Sequence, residues 1–232
     1  RYGIPAYRLP RDIIDSEVAP LEKMGCTFKY NTTVGKDISL ADLQKQYDAV
    51  FVAIGAQRAS SMRVEGEDSE GVSSGIQFLE EISAGTRTTV GKRVMVVGGG
   101  NTAIDAARSS VRMGAEEVMI LYRRTRKEMP AWEIEIDEAE HEGCELRILS
   151  APVKVERQGD EVVVTCIKME LGEPDASGRR RPVPIKGSEY KITVDEVVAA
   201  IGQGIDASCL QDSGMELTSW NSVVVDEHTL QT

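Results

Sequence analysis

One segment of the chain constrains its fold more than any other. It runs from Val94 to Arg124 and reads VMVVGGGNTAIDAARSSVRMGAEEVMILYRR, which predicts a strand, a glycine turn, a helix and a second strand. Gly98, Gly100 and Ala103 fit the fingerprint G-x-G-x-x-A, in which two glycines allow a tight turn and the close approach of a pyrophosphate. The flanking strand and helix are the context that this fingerprint requires. The segment therefore predicts a dinucleotide-binding unit, with a turn that only connects two elements as the alternative.

The end of the second predicted strand indicates which nucleotide this unit holds. An NAD-binding unit carries Asp or Glu there to bind the ribose 2′-hydroxyl. This chain has Arg123 and Arg124 instead, followed by Arg126 and Lys127. Because arginine presents planar donors that suit a phosphate, these residues favour the 2′-phosphate of NADP(H), with a solvated basic loop as the alternative. Another basic run, 179–181, lies among glycine and proline and predicts a solvated hairpin tip.

The composition is that of an ordinary globular protein and argues against several classes of function. Of the 232 residues, 41% are hydrophobic and 28% are charged, and the net charge of −11 disfavours nucleic acid as a partner. No run of about 18 apolar residues is present, which predicts a cytoplasmic chain with no membrane contact. The four cysteines lack a C-x-x-C spacing and the two histidines stand apart, so we expect structural thiols and no metal site.

Two similar apolar runs flank the dinucleotide-binding unit. YDAVFVAIGA at 47–56 and VDEVVAAIGQ at 194–203 both lead from Asp through apolar residues to Ala-Ile-Gly, and each predicts a buried strand. A shorter strand is predicted for CTFKY at 26–30. The unit is therefore predicted to be inserted between two segments of another domain.

Helical spacing and turn residues predict the remaining elements. Helices are expected over Ile13–Met24, over ISLADLQKQ with Ser39 as its cap, from Ser74 onward, and over PAWEIEIDEAEHEG. In the last of these, Trp132, Ile136 and Ala139 are predicted to face inward, and Gly143 ends the helix. The pattern then changes to short strands, CELRILS, VKVERQ, EVVVTCIKMEL and YKITV, which predict a β-meander.

Five motifs, in order along nearly the whole chain, resemble one protein family. They are YGIPAYRLPRDII at 2–14, DAVFVAIGA at 48–56, VVGGGNTAIDAARSSVRMGA at 96–115, YRRTRKEMPA at 122–131 and VVAAIGQ at 197–203. This set is similar to the small (β) subunit of NADPH-dependent glutamate synthase, within the superfamily of FAD- and NADPH-dependent pyridine nucleotide-disulfide oxidoreductases. NADPH-binding subunits of ferredoxin oxidoreductases and the amino-terminal half of dihydropyrimidine dehydrogenase share the resemblance.

The resemblance implies an α/β fold in which one cofactor domain interrupts the other. A Rossmann-like NAD(P)-binding domain, with a parallel sheet, helices and a β-meander, would be inserted between partial segments of an FAD-binding domain. The expected division is a partial FAD-domain segment at 1–66, an NADPH-binding domain at 67–190 and a second partial FAD-domain segment at 191–232.

The resemblance also implies which residues hold the two cofactors. Around the NADPH pyrophosphate it places Gly98, Gly99, Gly100, Asn101, Thr102 and Ala103. For the 2′-phosphate it implies Arg123, Arg124 and Arg126, with Glu128 and Pro130 near the nucleotide. Near FAD it implies Ile4, Pro5, Ala53, Ile54, Gly55, Ala200, Ile201 and Gly202.

The activity implied by the resemblance is transfer of a hydride from NADPH to FAD. Electrons would continue to iron–sulfur clusters outside this chain and to a partner, either the glutamate synthase large subunit or a ferredoxin-like acceptor. Hydride transfer requires no general acid or base, so no catalytic side chain is predicted. The family carries a further G-x-G-x-x-G unit before YGIPAYRLP and a GD segment after VVAAIGQ, so we expect this chain to be a fragment.

Three other functions fit the same residues. The chain could be an NADP(H)-binding module without turnover of its own, because the FAD site would be truncated. It could be a subunit of an NADPH:ferredoxin oxidoreductase. A third possibility is a non-redox Rossmann-type domain used in regulation or assembly, which would require the pair Arg123 and Arg124 to be incidental.

Overall fold

The chain folds into two compact units, one of which interrupts the other in sequence. The computed structural model describes residues 1–176, 178–211 and 213–232. The first unit comprises Arg1–Arg11 and Ala59–Gly202, and the second comprises Asp12–Arg58 and Gln203–Thr232. The long segment of the first unit thus lies between the two segments of the second along the chain, and nearly all of the apolar run 194–203 belongs to the first unit.

The elements of the described residues are as follows. The α-helices are α1 Arg11–Lys23, α2 Leu40–Gln46, α3 Gly75–Ala84, α4 Asn101–Arg112 and α5 Glu133–His141. The strands are β1 Arg58–Ala59, β2 Val72–Ser74, β3 Arg93–Val97, β4 Glu117–Leu121, β5 Glu145–Arg147, β6 Ser150–Gln158, β7 Glu161–Pro174, β8 Arg180–Pro184, β9 Tyr190–Val194, β10 Glu196–Ala199 and β11 Gln203–Gly204. Two short 3₁₀ turns cover Arg126–Glu128 and Ser208–Leu210.

Two sheets build the first unit. The central sheet is parallel throughout, in the order β2-β10-β3-β4-β5. The other is an antiparallel meander in which β7 pairs with β6 and β9 along its first half and with β8 along its second half. The long strand β7 therefore extends beyond the meander core as a hairpin with β8.

Successive side chains of the parallel sheet point into two different hydrophobic cores. One face of the sheet, including Val96, is buried against helices α3, α4 and α5, where Ile104 is fully enclosed. The opposite face, including Met95, is buried against the meander, where Val164 is fully enclosed. Because both faces are covered, β3 and β4 read as continuous apolar runs in the sequence.

Local capping residues fix the helix boundaries as predicted. Ser39 precedes α2 and its hydroxyl accepts the backbone N–H of Asp42 at 3.0 Å. Ser74 precedes α3 and accepts the backbone N–H of Gln77 at 3.2 Å. Gly143 follows α5 with a φ of 96°, the left-handed conformation that ends many helices.

Two predicted strands are wrong. Residues 26–30 and 47–56 lie outside every helix and strand of the described chain, and Phe51 within the second run is 84% exposed. A buried strand requires neighbours that satisfy its backbone N–H and C=O groups, and no sheet of the described residues includes these runs. The other flanking run, 194–203, contains β10 as predicted, but β10 lies between β2 and β3 in the parallel sheet.

The predicted inward position of Trp132 is also wrong. This residue is the N-cap of α5, with an extended backbone, and its side chain is 71% exposed. Because it precedes the first helical residue, it does not share the inward face of the helix. Ile136 and Ala139 lie within the helix and are buried, as predicted.

The predicted fold class is confirmed: the chain is mixed α/β, with helices on a parallel sheet and a β-meander on its other face. The division into cofactor domains at 1–66, 67–190 and 191–232 stays a prediction. The compact units divide the chain elsewhere, because residues 59–66 and 191–202 belong to the first unit.

Among the described helices, none combines the length and the apolar character needed to cross a bilayer.

Candidate functional site

A cleft of about 750 Å³ opens in the first unit at the carboxyl ends of β3, β4 and β10. Ligands of open α/β sheets bind at this edge, where neighbouring connections leave a crevice. The glycine turn of residues 98–100 lines the cleft, together with the residues that follow β4 and β10. The sheet thus brings together three segments that are far apart in sequence.

The three glycines of the turn lie in different environments. Gly98 has a φ of 150°, and a Cβ there would lie 2.2 Å from the carbonyl oxygen of Ala200. A Cβ on Gly99 would lie 2.5 Å from the ring of Tyr122. A Cβ on Gly100 would meet no described atom within 4 Å, so this position faces open space. The first two glycines are needed for packing, whereas the third leaves room beside the helix.

The amino terminus of α4 faces the cleft. Gly100 is its N-cap and supplies no side-chain hydrogen bond to the first turn. Thr102 in that turn lines the cleft, whereas Ala103 is fully buried against the sheet. The positive end of the helix dipole and the backbone N–H groups of the first turn favour an anion at such a position.

Contacts behind the glycine turn hold it against the segment after β4. The hydroxyl of Tyr122 donates to the carbonyl oxygen of Glu128 at 2.8 Å, and the ring lies against Gly99. The backbone N–H of Ala131 donates to the carbonyl oxygen of Gly99 at 3.1 Å. Pro130 lines the cleft beside this contact. The segment EMPA, at 128–131, is therefore held against the glycine turn by the buried side chain of Tyr122.

Arg123 and Arg124 lie in opposite environments, although both line the cleft. Arg123 is exposed. Arg124 is only 5% exposed, and its Nη2 donates to Asp175 Oδ2 at 2.7 Å while its Nε donates to the carbonyl oxygen of Arg180 at 2.7 Å. Of this pair, Arg123 is the residue whose cationic group faces solvent at the end of β4.

Arg126 and Glu128 do not line the cleft. Arg126 forms ion pairs with Asp137 and Glu140 on α5. The hydroxyl of Thr125 donates to the carboxylate of Glu128, and this hydrogen bond holds the pKa of Glu128 below its ordinary value. The backbone N–H of Thr125 donates to the same carboxylate at 3.1 Å, which completes a capping box. In this structure both residues stabilise the turn after β4.

The remaining residues implied by the resemblance are dispersed. Ala200, Ile201 and Gly202 line the cleft, but Asn101 does not; its side-chain oxygen accepts the backbone N–H of Trp132 at 3.3 Å. Ile4 and Pro5, in the amino-terminal segment of the first unit, are not among the residues that line the cleft, and Ala53, Ile54 and Gly55 belong to the second unit.

Four other segments line the cleft and were not predicted. They are residues 60–63, residues 150–152, Met169 of β7, and the β7–β8 hairpin with Arg179 and Pro182. The basic run 179–181 was the one signal in the sequence, and it was interpreted as a solvated hairpin tip. These three arginines are exposed, as that interpretation requires, but Arg179 also lies against the cleft.

The amino-terminal segment is attached to the first turns of α4. Tyr7 donates to Asp105 Oδ1 at 3.1 Å, and Arg8 Nε donates to the same oxygen at 2.5 Å. The guanidinium of Arg112 lies 4.0 Å from the centre of the Tyr7 ring, within the range of a cation–π interaction. Burial raises the pKa of the Tyr7 hydroxyl well above its ordinary value, so it remains a donor.

The described residues contain no cluster of His, Cys, Asp or Glu suited to a metal ion. All four cysteines are free thiols. Burial raises the pKa of Cys144 to about 11 and that of Cys166 to about 12, which keeps both protonated at neutral pH. These two buried thiols contribute to packing, in line with the sequence analysis.

Comparisons with known proteins identify the family. The pyridine nucleotide-disulphide oxidoreductase model matches residues 13–232. The chain is 49% identical over 228 residues to the NADPH-Fe(3+) oxidoreductase subunit beta of Geobacter sulfurreducens, which covers 96% of this chain and 34% of that protein. It is 36% identical over 243 residues to the glutamate synthase (NADPH) small chain of Escherichia coli, covering 97% and 51%. FprA from Mycobacterium tuberculosis has a similar fold, with a TM-score of 0.74 at 19% identity over 94% of this chain and 63% of that one.

The chain spans about a third of the length of the first relative and half of the second. The resemblance seen in the five motifs is confirmed by these relatives, and the family match includes every segment that lines the cleft. This chain belongs to the pyridine nucleotide-disulphide oxidoreductase family.

Proposed function

We propose that this chain binds NADPH in the cleft and forms the nucleotide-binding portion of a flavoprotein oxidoreductase. The observation that carries this proposal is the position of Arg123, an exposed cation at the end of β4, on the same cleft as the glycine turn. In a dinucleotide-binding unit the residue at this position contacts the adenine-side ribose. An arginine there favours a phosphorylated ribose over a free 2′-hydroxyl.

The glycine turn would hold the pyrophosphate. Gly100 leaves open space at the amino terminus of α4, which is where a phosphate needs to approach the backbone. The N–H groups of the first helical turn and the hydroxyl of Thr102 are the donors available there. Gly98 and Gly99 would act indirectly, because they allow the turn to pack against Ala200 and Tyr122.

The chemistry in this proposal belongs to the cofactors: bound NADPH supplies a hydride to a flavin. The task of this chain is to bind and orient the nucleotide. Tyr122 and the EMPA segment fix the turn, and the helices behind the sheet fix the strands from which the cleft is built. No side chain is assigned as a general acid or base, because hydride transfer requires none.

We also propose that the electrons leave through a partner subunit. Both relatives are named as subunits or chains of larger enzymes that use NADPH. Identity is 49% with the NADPH-Fe(3+) oxidoreductase subunit and 36% with the glutamate synthase chain. This difference favours an acceptor other than the glutamate synthase large subunit.

A second candidate function is NADP(H) binding without turnover. The run 47–56, expected to form a strand of an FAD domain, lies outside the described strands and leaves Phe51 exposed. An incomplete flavin site would produce this arrangement. Adding FAD to the purified chain separates the two functions, since flavin binding with NADPH oxidation by ferricyanide supports the enzyme and NADP⁺ binding alone supports the module.

Calorimetric titration with NADP⁺ and NAD⁺ tests the proposed function. We expect saturable binding of NADP⁺ that is tighter than binding of NAD⁺. Replacing Arg123 by Ala should weaken NADP⁺ binding by about 10-fold or more, because a charge-assisted contact is worth about 1.5–3 kcal/mol, while NAD⁺ binding changes little. Lys127→Ala is the matched control, since Lys127 is an exposed cation on the next turn that does not line the cleft.

Two results would contradict the proposal. One is equal affinity of the unaltered chain for the two nucleotides. The other is an equal loss of NADP⁺ and NAD⁺ binding in Arg123→Ala, which would mean that Arg123 contributes to the fold or to the shared part of the nucleotide.

A further inference from the structure

The hairpin of β7 and β8 brings a second basic segment to the cleft. Arg179 lies just before β8 and lines the cleft, although 55 residues separate it from Arg123 along the chain. Both residues are exposed, and both line the cleft. The hairpin itself is closed by backbone contacts, with the N–H of Asp175 donating to the carbonyl oxygen of Arg179 at 2.7 Å.

The donors of Arg124 are directed toward this hairpin. Its Nη2 donates to Asp175 Oδ2 at 2.7 Å, and its Nε donates to the carbonyl oxygen of Arg180 at 2.7 Å. The other carboxylate oxygen of Asp175 accepts the backbone N–H of Arg179 at 3.3 Å. The buried side chain of Arg124, at the end of β4, therefore forms hydrogen bonds with Asp175 and Arg180, which precede and follow Arg179 in the hairpin.

The side chain of Arg180 strengthens the same hairpin from the opposite strand. Its Nε and Nη2 donate to the carbonyl oxygens of Gly172 and Leu171 on β7, at 3.0 and 2.5 Å. These contacts account for two of the three consecutive arginine positions: Arg180 holds the hairpin together and Arg179 lines the cleft. Arg181 does not line the cleft and serves as a natural control.

We infer that Arg179 is a second cation for the 2′-phosphate of NADPH and that Arg124 is a positioning residue that acts through Asp175. The inference rests on the proposed function, which assigns Arg123 to that phosphate. A phosphate monoester carries a charge of about −1.5 to −2 at neutral pH, so it is better matched by two arginines than by one. Arg124 is a less suitable second cation, because its side chain is buried.

Paired substitutions on the hairpin test the role of Arg179. Calorimetry with the full chain should show that Arg179→Ala weakens NADP⁺ binding by about 10-fold while NAD⁺ binding changes by less than about threefold. Arg181→Ala should leave both affinities within about threefold of the unaltered chain. If Arg179→Ala shifts the two affinities no more than Arg181→Ala does, the second-cation role is wrong.

Substitution of Asp175 tests the positioning role of Arg124, because this role and simple charge removal predict opposite changes in the affinity for NADP⁺. Asp175→Asn removes a negative charge near the cleft, so electrostatics alone predicts tighter binding of the anionic nucleotide. The amide keeps only one acceptor oxygen, so it cannot accept from both Arg124 and the backbone N–H of Arg179, and the loss of one of these contacts instead predicts weaker NADP⁺ binding with NAD⁺ binding nearly unchanged. Tighter NADP⁺ binding, or an equal loss for both nucleotides, would overturn the positioning role.

The outcome for Arg123 distinguishes this inference from the proposed function. If Arg123→Ala removes the preference for NADP⁺ while Arg179→Ala does not, the hairpin inference fails and the proposed function stands. If the unaltered chain shows no preference for NADP⁺, both fail together.

Discussion

Gly98 and Gly100 belong to one fingerprint, but the packing of the structure requires glycine only at position 98. Gly98 combines a φ of 150° with a Cβ position 2.2 Å from a carbonyl oxygen, so any side chain there would displace β10 or the turn. Gly100 has a φ of −95° and open space around its Cβ position. The first is a requirement of the folded chain, and the second, in the function we propose, is a requirement of the nucleotide.

This difference predicts opposite effects for two alanine substitutions. Gly98→Ala should lower the unfolding free energy by about 2–4 kcal/mol, because it adds both backbone strain and a steric overlap. Gly100→Ala should leave the melting temperature nearly unchanged and weaken NADP⁺ binding by about 10-fold or more, since a methyl group would occupy the space needed by the pyrophosphate. Thermal unfolding and calorimetry on both variants check the prediction. Similar melting temperatures for the two variants would contradict it.

At the scale of single residues, the sequence predicted where the glycine turn and the arginines lie along the chain better than it predicted which side chains are buried or exposed. The fingerprint predicted a tight turn at Gly98–Gly100 and a small residue packed on the strand at Ala103, and the structure has both, because the turn is determined by local backbone geometry. The same reasoning could not separate Arg123 from Arg124, since the partner that buries Arg124 lies 51 residues further along the chain. A basic run in the sequence shows how many cations are present. Which of them are exposed to bind a ligand depends on the contacts that each side chain makes with distant residues in the folded chain.

The amino-terminal segment and helices α4 and α5 are joined by a network of charges. Arg8 Nη2 donates to Glu135 at 2.6 Å, and Arg108, which is buried on α4, donates to Glu135 at 2.7 Å and to Glu142 at 2.6 Å. The hydrogen bond from Arg8 is the main cause that holds the pKa of Glu135 below its ordinary value. The network therefore requires the ionised form of this carboxylate.

This lowered pKa predicts how the stability of the first unit depends on pH. A carboxylate whose pKa is lower in the folded state stabilises the fold above its unfolded pKa, near 4.3, and loses that contribution as the pH falls through its folded pKa. Glu135→Gln should therefore lower the melting temperature most at pH 7, and the difference from the unaltered chain should shrink toward pH 3. Glu133→Gln, on the same helix and exposed, is the control. A difference that stays constant with pH would contradict the prediction.

Elements with a local signal were predicted well, and those that depend on distant partners were not. Helices α2 and α3 were found from their serine caps, and β3, α4 and β4 from one continuous pattern. The run 47–56 has the composition of a buried strand, but a strand forms only where neighbouring strands satisfy its backbone groups. Its near twin at 194–203 forms β10 because β2 and β3 lie on either side of it.

On the scale of the whole chain, the boundaries of the two compact units were not predictable from the sequence. The second unit gathers Leu40 with Ala207 and Leu210 into one small core, although the first of these lies far from the others in sequence. The repeated Ala-Ile-Gly runs indicated such an insertion. They could not show that β10 would complete the parallel sheet of the inserted unit, because that depends on the pairing of β10 with β3.

The central claim is that the cleft recognises the 2′-phosphate of NADPH, and competition with two nucleotide fragments tests it most directly. Adenosine 2′,5′-bisphosphate and AMP differ only in that phosphate, so the comparison does not depend on the nicotinamide or on a flavin. The bisphosphate should displace NADP⁺ from the purified chain at a concentration about 10-fold or more below that needed for AMP, and Arg123→Ala should reduce this difference. Equal displacement by the two fragments would contradict the account.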